Sequence, residues 1–267
     1  MSIIVKRMID TVIRQIGIRV GRNTFSVSYR DYAKDVTGIE IMVLFDGKDY
    51  VPAIIAQESQ DSKEIYGWEA AKKSETLPKK QVKKDFAENL LSKEESVYQE
   101  ACLLTEKFMG YLKQQSDIAL EQEGDITVEE LTTVITYPTG FGKREQEAIR
   151  KAAEKAGFEN IVLVHEVEAA VRYEFMYETG KMEDILEQKK RGLLRILFAD
   201  LNGGQKKLSF FVYDSVYREM LERVLRNYQY QTEKPEEELL AQIKQKKSGA
   251  DIVILSGNQK ECEWIRS

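Results

Sequence analysis

The stretch from Leu131 to Tyr177 constrains the fold most, because two strand patterns enclose a helix pattern there. Leu131–Tyr137 and Asn160–Val164 are apolar and β-branched, whereas Lys143–Ala156 is rich in Ala, Glu, Lys and Arg. Gly157 stands where a glycine in the left-handed conformation commonly ends a helix. A strand, a helix and a second strand in this order predict a right-handed parallel crossover. The sequence therefore predicts an α/β protein.

Two β-hairpins with glycine-bearing turns are predicted, one on each side of that stretch. Residues 15–29 alternate apolar and polar side chains around a turn at Gly21-Arg22-Asn23. Residues 193–213 place Asp200-Leu201-Asn202-Gly203-Gly204 between two apolar runs. Because the same pattern returns after a charged linker at Thr179–Arg191, we expect two similar lobes.

The rest of the chain predicts smaller elements. Asp46-Gly47-Lys48 lies between apolar runs at Ile39–Phe45 and Val51–Ala56, which indicates a hairpin. Residues 60–92 are charged and weakly periodic, so we expect irregular structure or a small exposed subdomain. Apolar side chains three and four residues apart predict a helix over 93–115. Further expected elements are helices at Glu166–Tyr177 and Asp214–Asn227 and a strand at Ile252–Leu255.

Composition excludes several classes of protein. A hydrophobic fraction of 42% argues against a disordered chain, and a formal net charge of -5 argues against a nucleic-acid-binding protein. No stretch approaches the ~20 apolar residues of a membrane span, and Lys6 and Arg7 interrupt any signal-peptide core. Two distant cysteines, Cys102 and Cys262, fit a reducing compartment. We therefore expect a cytoplasmic protein without nucleic-acid or membrane partners.

Two features of the sequence resemble chemical sites but do not meet their requirements. One is a glycine turn with the wrong spacing for a phosphate loop, and the other is a lone histidine. Gly140-Phe141-Gly142-Lys143-Arg144 has one residue between its glycines and an arginine after its lysine, whereas a phosphate loop needs four residues and a Ser or Thr. This stretch is interpreted as a tight strand-to-helix turn. His165, the single histidine, cannot build a zinc site or a Ser-His-Asp triad with partners visible in the sequence. We predict no metal-ligating residues.

A set of short motifs, spread over most of the chain, gives a resemblance to one known family. In chain order the motifs are Gly17-Ile18-Arg19-Val20-Gly21, Val51-Pro52-Ala53-Ile54-Ile55, Val134-Ile135-Thr136-Tyr137-Pro138 with Phe141, a helix with Ala152 that ends at Gly157, Val164-His165-Glu166 with Ala169-Ala170, Asp200-Leu201-Asn202-Gly203-Gly204, and Ile254-Leu255-Ser256-Gly257-Asn258. Together they resemble the ATPase domain of the DnaK-type seventy-kilodalton heat-shock chaperones.

The resemblance implies an actin-like ATPase fold, which is ribonuclease H-like, with ATP or ADP bound between two lobes. Each lobe would contain a mixed sheet of the five-stranded type, and the outer subdomains would be reduced. Lobe I would span residues 1–178, with its core at 14–35 and 93–178 and an outer subdomain at 36–92. Lobe II would span 179–267, with its core at 190–214 and 248–267 and with 215–247 replacing its outer subdomain.

The same resemblance assigns candidate site residues. Glu166 and Asp200 align with two acids that serve catalysis in the family. The residues expected to contact the nucleotide come from three turns: Gly21, Arg22, Asn23, Asn202, Gly203, Gly204, Gln205, Ser256, Gly257 and Asn258.

Several of these positions depart from the family's pattern. Arg19 stands where the family has an aspartate near the metal, Arg22 and Asn23 replace two threonines, and Gln205 replaces a third. A positive charge placed about 4 Å from Mg²⁺ costs about 4 kcal/mol at an effective dielectric near 20. Arginines instead contact phosphates directly, without a metal. We therefore expect a pseudo-ATPase, keep a slow ATPase as the alternative, and leave the role of Mg²⁺ open.

Two other functions stay open. The chain would be an actin-fold scaffold that binds a protein partner or client without nucleotide, or a member of another actin-like family. The surroundings of Arg19, Arg22, Asn23 and Gln205 separate these alternatives. An open, anion-sized cleft around them favours nucleotide binding, whereas a buried ion pair of Arg19 with Glu166 or Asp200 that fills the metal position favours the scaffold.

Overall fold

A computed structural model describes residues 11–33, 36–37, 40–59, 61–121, 127–177, 192–200, 207–214, 219–221, 241 and 249–256. These residues form a mixed α/β structure with several sheets. The α-helices are α1 Gly67–Lys73, α2 Phe86–Asn89, α3 Glu95–Glu121, α4 Lys143–Ala156 and α5 Glu166–Tyr177. The strands are β1 Thr11–Val20, β2 Thr24–Ala33, β3 Val36–Thr37, β4 Ile41–Met42, β5 Val51–Pro52, β6 Ile54–Ala56, β7 Ile65–Tyr66, β8 Val82–Lys84, β9 Thr127–Tyr137, β10 Ile161–His165, β11 Leu193–Asp200, β12 Lys207–Asp214, β13 Glu219–Leu221 and β14 Ile252–Ser256.

The first sheet combines antiparallel and parallel pairing, in the order β10-β9-β1-β2 through its centre. β1 and β2 form an antiparallel hairpin, and the short strands β3, β4 and β5 each pair antiparallel with β2. β9 runs parallel to β1, and β10 runs parallel to β9. Helix α4 connects β9 to β10, so the predicted parallel crossover is present.

One face of this sheet is buried under α3 and α4. Ile16, Ile18 and Val20 of β1 are at most 2% exposed, whereas Ile13 on the opposite face is 42% exposed. This alternation follows from the two-residue period of a strand. The helix residues in the same core cluster include Phe108, Met109, Leu112, Ile149, Ala152 and Ala153.

Helix α3 is longer than the predicted 93–115 and ends at Glu121. Its buried face carries two hydroxyls, those of Thr105 and Ser116. Each donates a 2.8 Å hydrogen bond to the carbonyl four residues earlier, so neither is buried without a partner. A 27-residue helix therefore keeps polar residues within its core face.

Residues 61–92 form short helices and strands, and part of this segment is buried in the core of the first unit, so neither irregular structure nor an exposed subdomain describes it. β6 pairs antiparallel with β7 and with β8, and α1 and α2 flank this outer sheet in sequence. Phe86 of α2 lies 6.3 Å from Phe25 of β2 and 5.4 Å from Phe108 of α3, ring centre to ring centre. This aromatic contact fixes α2 to the core of the first sheet.

The second sheet has the order β13-β12-β11-β14. β11 pairs antiparallel with β12, β12 pairs antiparallel with β13, and β11 pairs parallel with β14. Its buried side chains form a separate cluster of Val167, Leu194, Ile196, Phe198 and Phe211.

The two sheets share an arrangement of four strands among the described residues, to which the first sheet adds β3 and β10. In each, the first strand of a hairpin is central, a third antiparallel strand flanks the hairpin's second strand, and a later strand lies parallel beside the first. In the first sheet these are β1, β2, β4 with β5, and β9. In the second sheet they are β11, β12, β13 and β14. The pattern predicted from two glycine-turn hairpins therefore extends to the strands around them.

Several predicted element bounds are confirmed and others are wrong. The helices at Lys143–Ala156 and Glu166–Tyr177 have the predicted bounds, and Gly157 has the expected positive φ of 89°. Phe45 and Lys48 exchange backbone hydrogen bonds, so the predicted turn between them is present. The predicted helix at 214–227 is wrong where the structure describes it, because Asp214 ends β12 and residues 219–221 pair as β13 with β12. Residues 215–218 and 222–227 lie outside the described residues. The predicted strand at 39–45 shrinks to β4.

The chain divides into two compact units, Met1–Glu166 and Val167–Ser267. The division falls at the start of α5, where Val167 packs with the side chains of the second sheet. The predicted lobes, 1–178 and 179–267, place the boundary after this helix. Of the segment predicted to replace an outer subdomain, 215–247, the structure describes only β13 and Ala241.

Candidate functional site

The candidate site of the first unit lies where β1, β9 and β10 end. Because these strands are parallel, their carboxyl ends meet at one edge, where ligands commonly bind in α/β sheets. The turn between β1 and β2 follows Val20, a loop follows Tyr137, and Glu166 follows His165. The sequence motifs at these three places are thus brought together by the sheet.

Gly21 closes the turn between β1 and β2 by close approach of the backbone. Its N–H donates to the carbonyl of Thr24 at 2.9 Å. A Cβ atom at this position would lie 2.6 Å from that same carbonyl oxygen, which is closer than real Cβ contacts allow. A side chain is therefore excluded here for steric reasons.

Arg22 joins three elements. Its side chain is 2% exposed, its Nη1 lies 3.1 Å from Oε1 of Glu88 in α2, and its Nη2 donates to the carbonyl of Thr139 at 3.2 Å. Glu88 keeps 37% of its side chain exposed, so one end of this ion pair remains hydrated. The turn, α2 and the loop after β9 are therefore held together by one guanidinium group.

Asn23 is tied to the same outer element. With its amide nitrogen facing two acceptors, it donates to Oδ1 of Asp85 at 3.2 Å and to the carbonyl of Arg22 at 3.0 Å. Its own carbonyl accepts a 2.8 Å hydrogen bond from the N–H of Ala53. Asp85 precedes α2 with a positive φ of 58°. Asn23 therefore anchors the turn, and its contact with a nucleotide stays a prediction.

Glu166 orders the loop after β9. Its Oε1 accepts a 2.6 Å hydrogen bond from the backbone N–H of Thr139, which is a charge-assisted contact. Thr139 is 2% exposed, and its hydroxyl has no hydrogen-bond partner among the described residues. The backbone of Thr139 is therefore bound on both sides, since its carbonyl accepts a hydrogen bond from Arg22 and its N–H donates one to Glu166.

Arg19 lies at a different position from Arg22. It is exposed, and the alternation of β1 places it on the face opposite Ile18 and Val20. In the sheet it stands between Ser26 of β2 and Thr136 of β9. Arg19 and Arg22, which are close in sequence, therefore differ in burial: Arg19 is exposed and Arg22 is buried.

The glycine turn before α4 is not a phosphate cradle. Gly142 donates its N–H to Oε2 of Glu145 at 2.7 Å, and Gln146 donates its side-chain amide to the carbonyl of Phe141 at 3.1 Å. Glu145 thus supplies one of the two hydrogen bonds of a capping box, since Gly142 has no side chain to provide the other. This is the tight strand-to-helix turn that its spacing predicts.

His165 is held in its neutral form. Burial lowers the pKa of its imidazole to about 4, and its ring meets the ring of Tyr137 edge-on at 5.4 Å. At neutral pH it is therefore an uncharged side chain at the end of β10.

In the second unit, the sheet brings together two motifs that are distant in sequence. Asp200 ends β11 and Ser256 ends β14, and the two residues are paired across these parallel strands. The other predicted contacts, Asn202, Gly203, Gly204, Gln205, Gly257 and Asn258, lie outside the described residues. Among the described residues, the second sheet thus resembles the first in that two parallel strands end side by side.

Three residues of this network were not predicted: Asp85, Glu88 and Thr139. Asp85 and Glu88 sit in a charged stretch without periodicity, which gave no sign that one of its acids would meet a buried arginine. Thr139 acts through its backbone, and a backbone contact leaves no signature in residue type. In the sequence, only the glycine loop that contains Thr139 indicated that this segment belongs to the site.

Comparison with protein-family models gives no match, and comparison with curated proteins gives none either. Among the described residues, no helix is long and apolar enough to cross a membrane.

Proposed function

We propose that the chain is a divergent actin-like, ribonuclease H-like protein, akin to the DnaK-type chaperones, that binds ATP or ADP and hydrolyses it slowly or not at all. The observation that carries the proposal is the shared connectivity of the two sheets, each a hairpin with an antiparallel third strand and a parallel fourth. A common four-strand arrangement in two sheets of a single chain is what a fold with two similar lobes would contain.

The positions of the candidate residues support nucleotide binding at these edges. A glycine turn follows the first strand of the first sheet, and Asp200 and Ser256 share an edge of the second. Turns at the carboxyl ends of parallel strands present backbone N–H groups to anions, and nests of this kind hold phosphates. The proposed contacts are Arg19, the turn 21–23 and residues 202–205 and 256–258. The N–H of Gly21 already donates to Thr24, so Gly21 would contribute by the close approach of its backbone.

The surroundings of the acids support weak catalysis. Phosphoryl transfer needs a metal ion and a positioned water or hydroxyl. The carboxylate of Glu166 is already engaged with the Thr139 N–H, and the carboxylate expected beside the metal is replaced by Arg19. Binding without efficient turnover follows from this combination.

A second candidate function, a scaffold that binds a protein partner without nucleotide, is favoured by the engagement of Arg22. Its guanidinium is buried between Glu88 and Thr139, so it reaches a phosphate only if these contacts break. An ion pair of this kind already supplies the charge balance that a ligand would otherwise provide.

Calorimetric titration of the full chain with ATP and with ADP, each with and without Mg²⁺, separates the two functions. The proposal expects saturable one-site binding that persists when Mg²⁺ is removed, and phosphate release close to the rate without protein. Arg19→Ala is expected to weaken binding by about 10- to 150-fold, since a charge-assisted hydrogen bond contributes roughly 1.5–3 kcal/mol. Lys151→Ala, on the exposed face of α4, is the matched control. Absence of binding at millimolar nucleotide would exclude the proposed nucleotide site and favour the protein-binding scaffold.

A further inference from the structure

A groove in the first unit lies between α3 and the outer sheet, and it shares no residue with the candidate site. Its volume is about 450 Å³. The floor comes from β6, one wall from α3, and the other wall from the turn Lys79–Gln81 and β8. A volume of this size accommodates a few side chains of a peptide.

The wall made by α3 is apolar at its centre and charged at its ends. Glu100, Leu103, Leu104 and Lys107 are spaced by three and four residues and form one helix face. Leu103 is 53% exposed, whereas Leu104 beside it is 9% exposed. The groove therefore presents an uncovered leucine next to a buried apolar floor, at which Ile55 is 2% exposed.

The charges of the groove oppose the charge of the chain. Three lysines and two glutamates line it, whereas the whole chain carries a net charge of -5. The glutamates pair with Lys83 and Lys107, and such partly exposed pairs contribute only about 0–1 kcal/mol. Lys80 lines the groove, and Lys79 precedes it in the turn without lining the groove. Both lysines are exposed and form no ion pair with any residue that the structure describes.

We propose that this groove binds an acidic peptide segment of a partner protein. An apolar side chain of the segment covers Leu103 and reaches towards Ile55, while its carboxylates meet Lys79 and Lys80. Charge complementarity selects this occupant, because the uncompensated charges beside the apolar floor are lysines. The proposal is independent of nucleotide binding, since neither Arg22 nor Glu166 takes part in it.

The test uses a short fluorescein-labelled peptide of glutamate and leucine, titrated with the full chain and followed by fluorescence anisotropy. Saturable binding that weakens as salt rises is expected. Leu103→Ser and the double change Lys79→Glu with Lys80→Glu are each expected to lower affinity about tenfold. Ile118→Ser, at a 44%-exposed position of the same helix, and Lys151→Glu on α4 are matched controls that should change affinity less than twofold.

Three outcomes would overturn the proposal. The first is no saturable binding of the glutamate–leucine peptide. The second is equal binding of a lysine–leucine peptide, which would show apolar adhesion without charge selection. The third is that Leu103→Ser abolishes a dimer in sedimentation while the peptide stays unbound, because a second copy of the chain would then occupy the groove.

Discussion

At the residue scale, Arg22 is the position where sequence interpretation and structure differ most. In the sequence it is a positive charge in a glycine turn, which predicts contact with phosphate. In the structure it is buried and spans from Glu88 to the carbonyl of Thr139. The difference arises because residue type fixes the charge of a side chain, whereas its direction depends on elements more than sixty residues away.

Replacing Arg22 with alanine is expected to lower the free energy of unfolding by about 2–3 kcal/mol. The change leaves the buried carbonyl of Thr139 without this donor, and an unsatisfied buried polar group costs about 1–3 kcal/mol. Urea denaturation followed by circular dichroism measures the loss. Lys151→Ala, which removes an exposed pair with Glu147, should change stability by about 0.5 kcal/mol or less. Equal effects of the two changes would contradict a structural role for Arg22.

His165 makes the stability of the protein depend on pH in a predictable direction. Burial lowers its pKa from 6.5 to about 4 in the folded state. Between these values the unfolded chain binds a proton that the folded chain does not, so stability is full above pH 6.5 and falls as the pH falls towards 4. The limiting slope is about 1.4 kcal/mol per pH unit. Because His165 is the single histidine, the loss between pH 7 and pH 5.5 should disappear in His165→Gln.

At the element scale, the predictions that succeed best are those in which the spacing of apolar residues and a helix-ending residue indicate the same element. Helix α4 has an alanine-rich face and a glycine at its end, and its bounds are as predicted. The predicted helix after Asp214 is wrong because three residues, 219–221, pair with β12, and a tertiary strand pairing outweighs a weak local helix preference. The small elements of residues 61–92 escape prediction for the same reason, since their stability comes from contacts with α3 and β6.

The turn between β1 and β2 gives a test at this scale. Gly21→Ala places a Cβ atom 2.6 Å from the Thr24 carbonyl, so the hairpin must distort, and we expect a loss of about 1–3 kcal/mol. Gly110→Ala, in the interior of α3 with open space around it, should instead stabilise the protein by about 0.5–1 kcal/mol. Thermal unfolding of both variants measures the difference. A stabilising Gly21→Ala would show that the turn is not built as described.

At the scale of the whole molecule, the sequence predicts two similar halves because the hairpin pattern occurs twice. The sequence does not reveal that the likeness of the two halves includes the strands beside each hairpin. Those strands, β4, β5 and β13, are only two or three residues long. Strands of that length leave no periodic pattern to read. The edge of the first sheet was predicted through its glycine turn and Glu166, whereas Asp85 before α2 and Glu88 within it were not predicted to complete this edge.

The first unit is expected to fold alone. Every buried residue of its core cluster lies between Ile16 and Phe158, within Met1–Glu166. A protein ending at Glu166 should therefore unfold cooperatively in urea, with coincident transitions by far-ultraviolet circular dichroism and tryptophan fluorescence from Trp68. A gradual, non-cooperative transition would show that residues beyond Glu166 are needed for its core.

Helix α3 contributes Leu103 to the groove and Phe108 and Leu112 to the core beneath β1. Selection for a partner and selection for a folded protein therefore act on a single stretch of the gene. A substitution in α3 that improves partner binding is retained only if it also leaves the protein stably folded. Among homologous chains, α3 should consequently diversify more slowly than the Lys79–Gln81 turn across the groove, where a new charge alters recognition and leaves the core untouched.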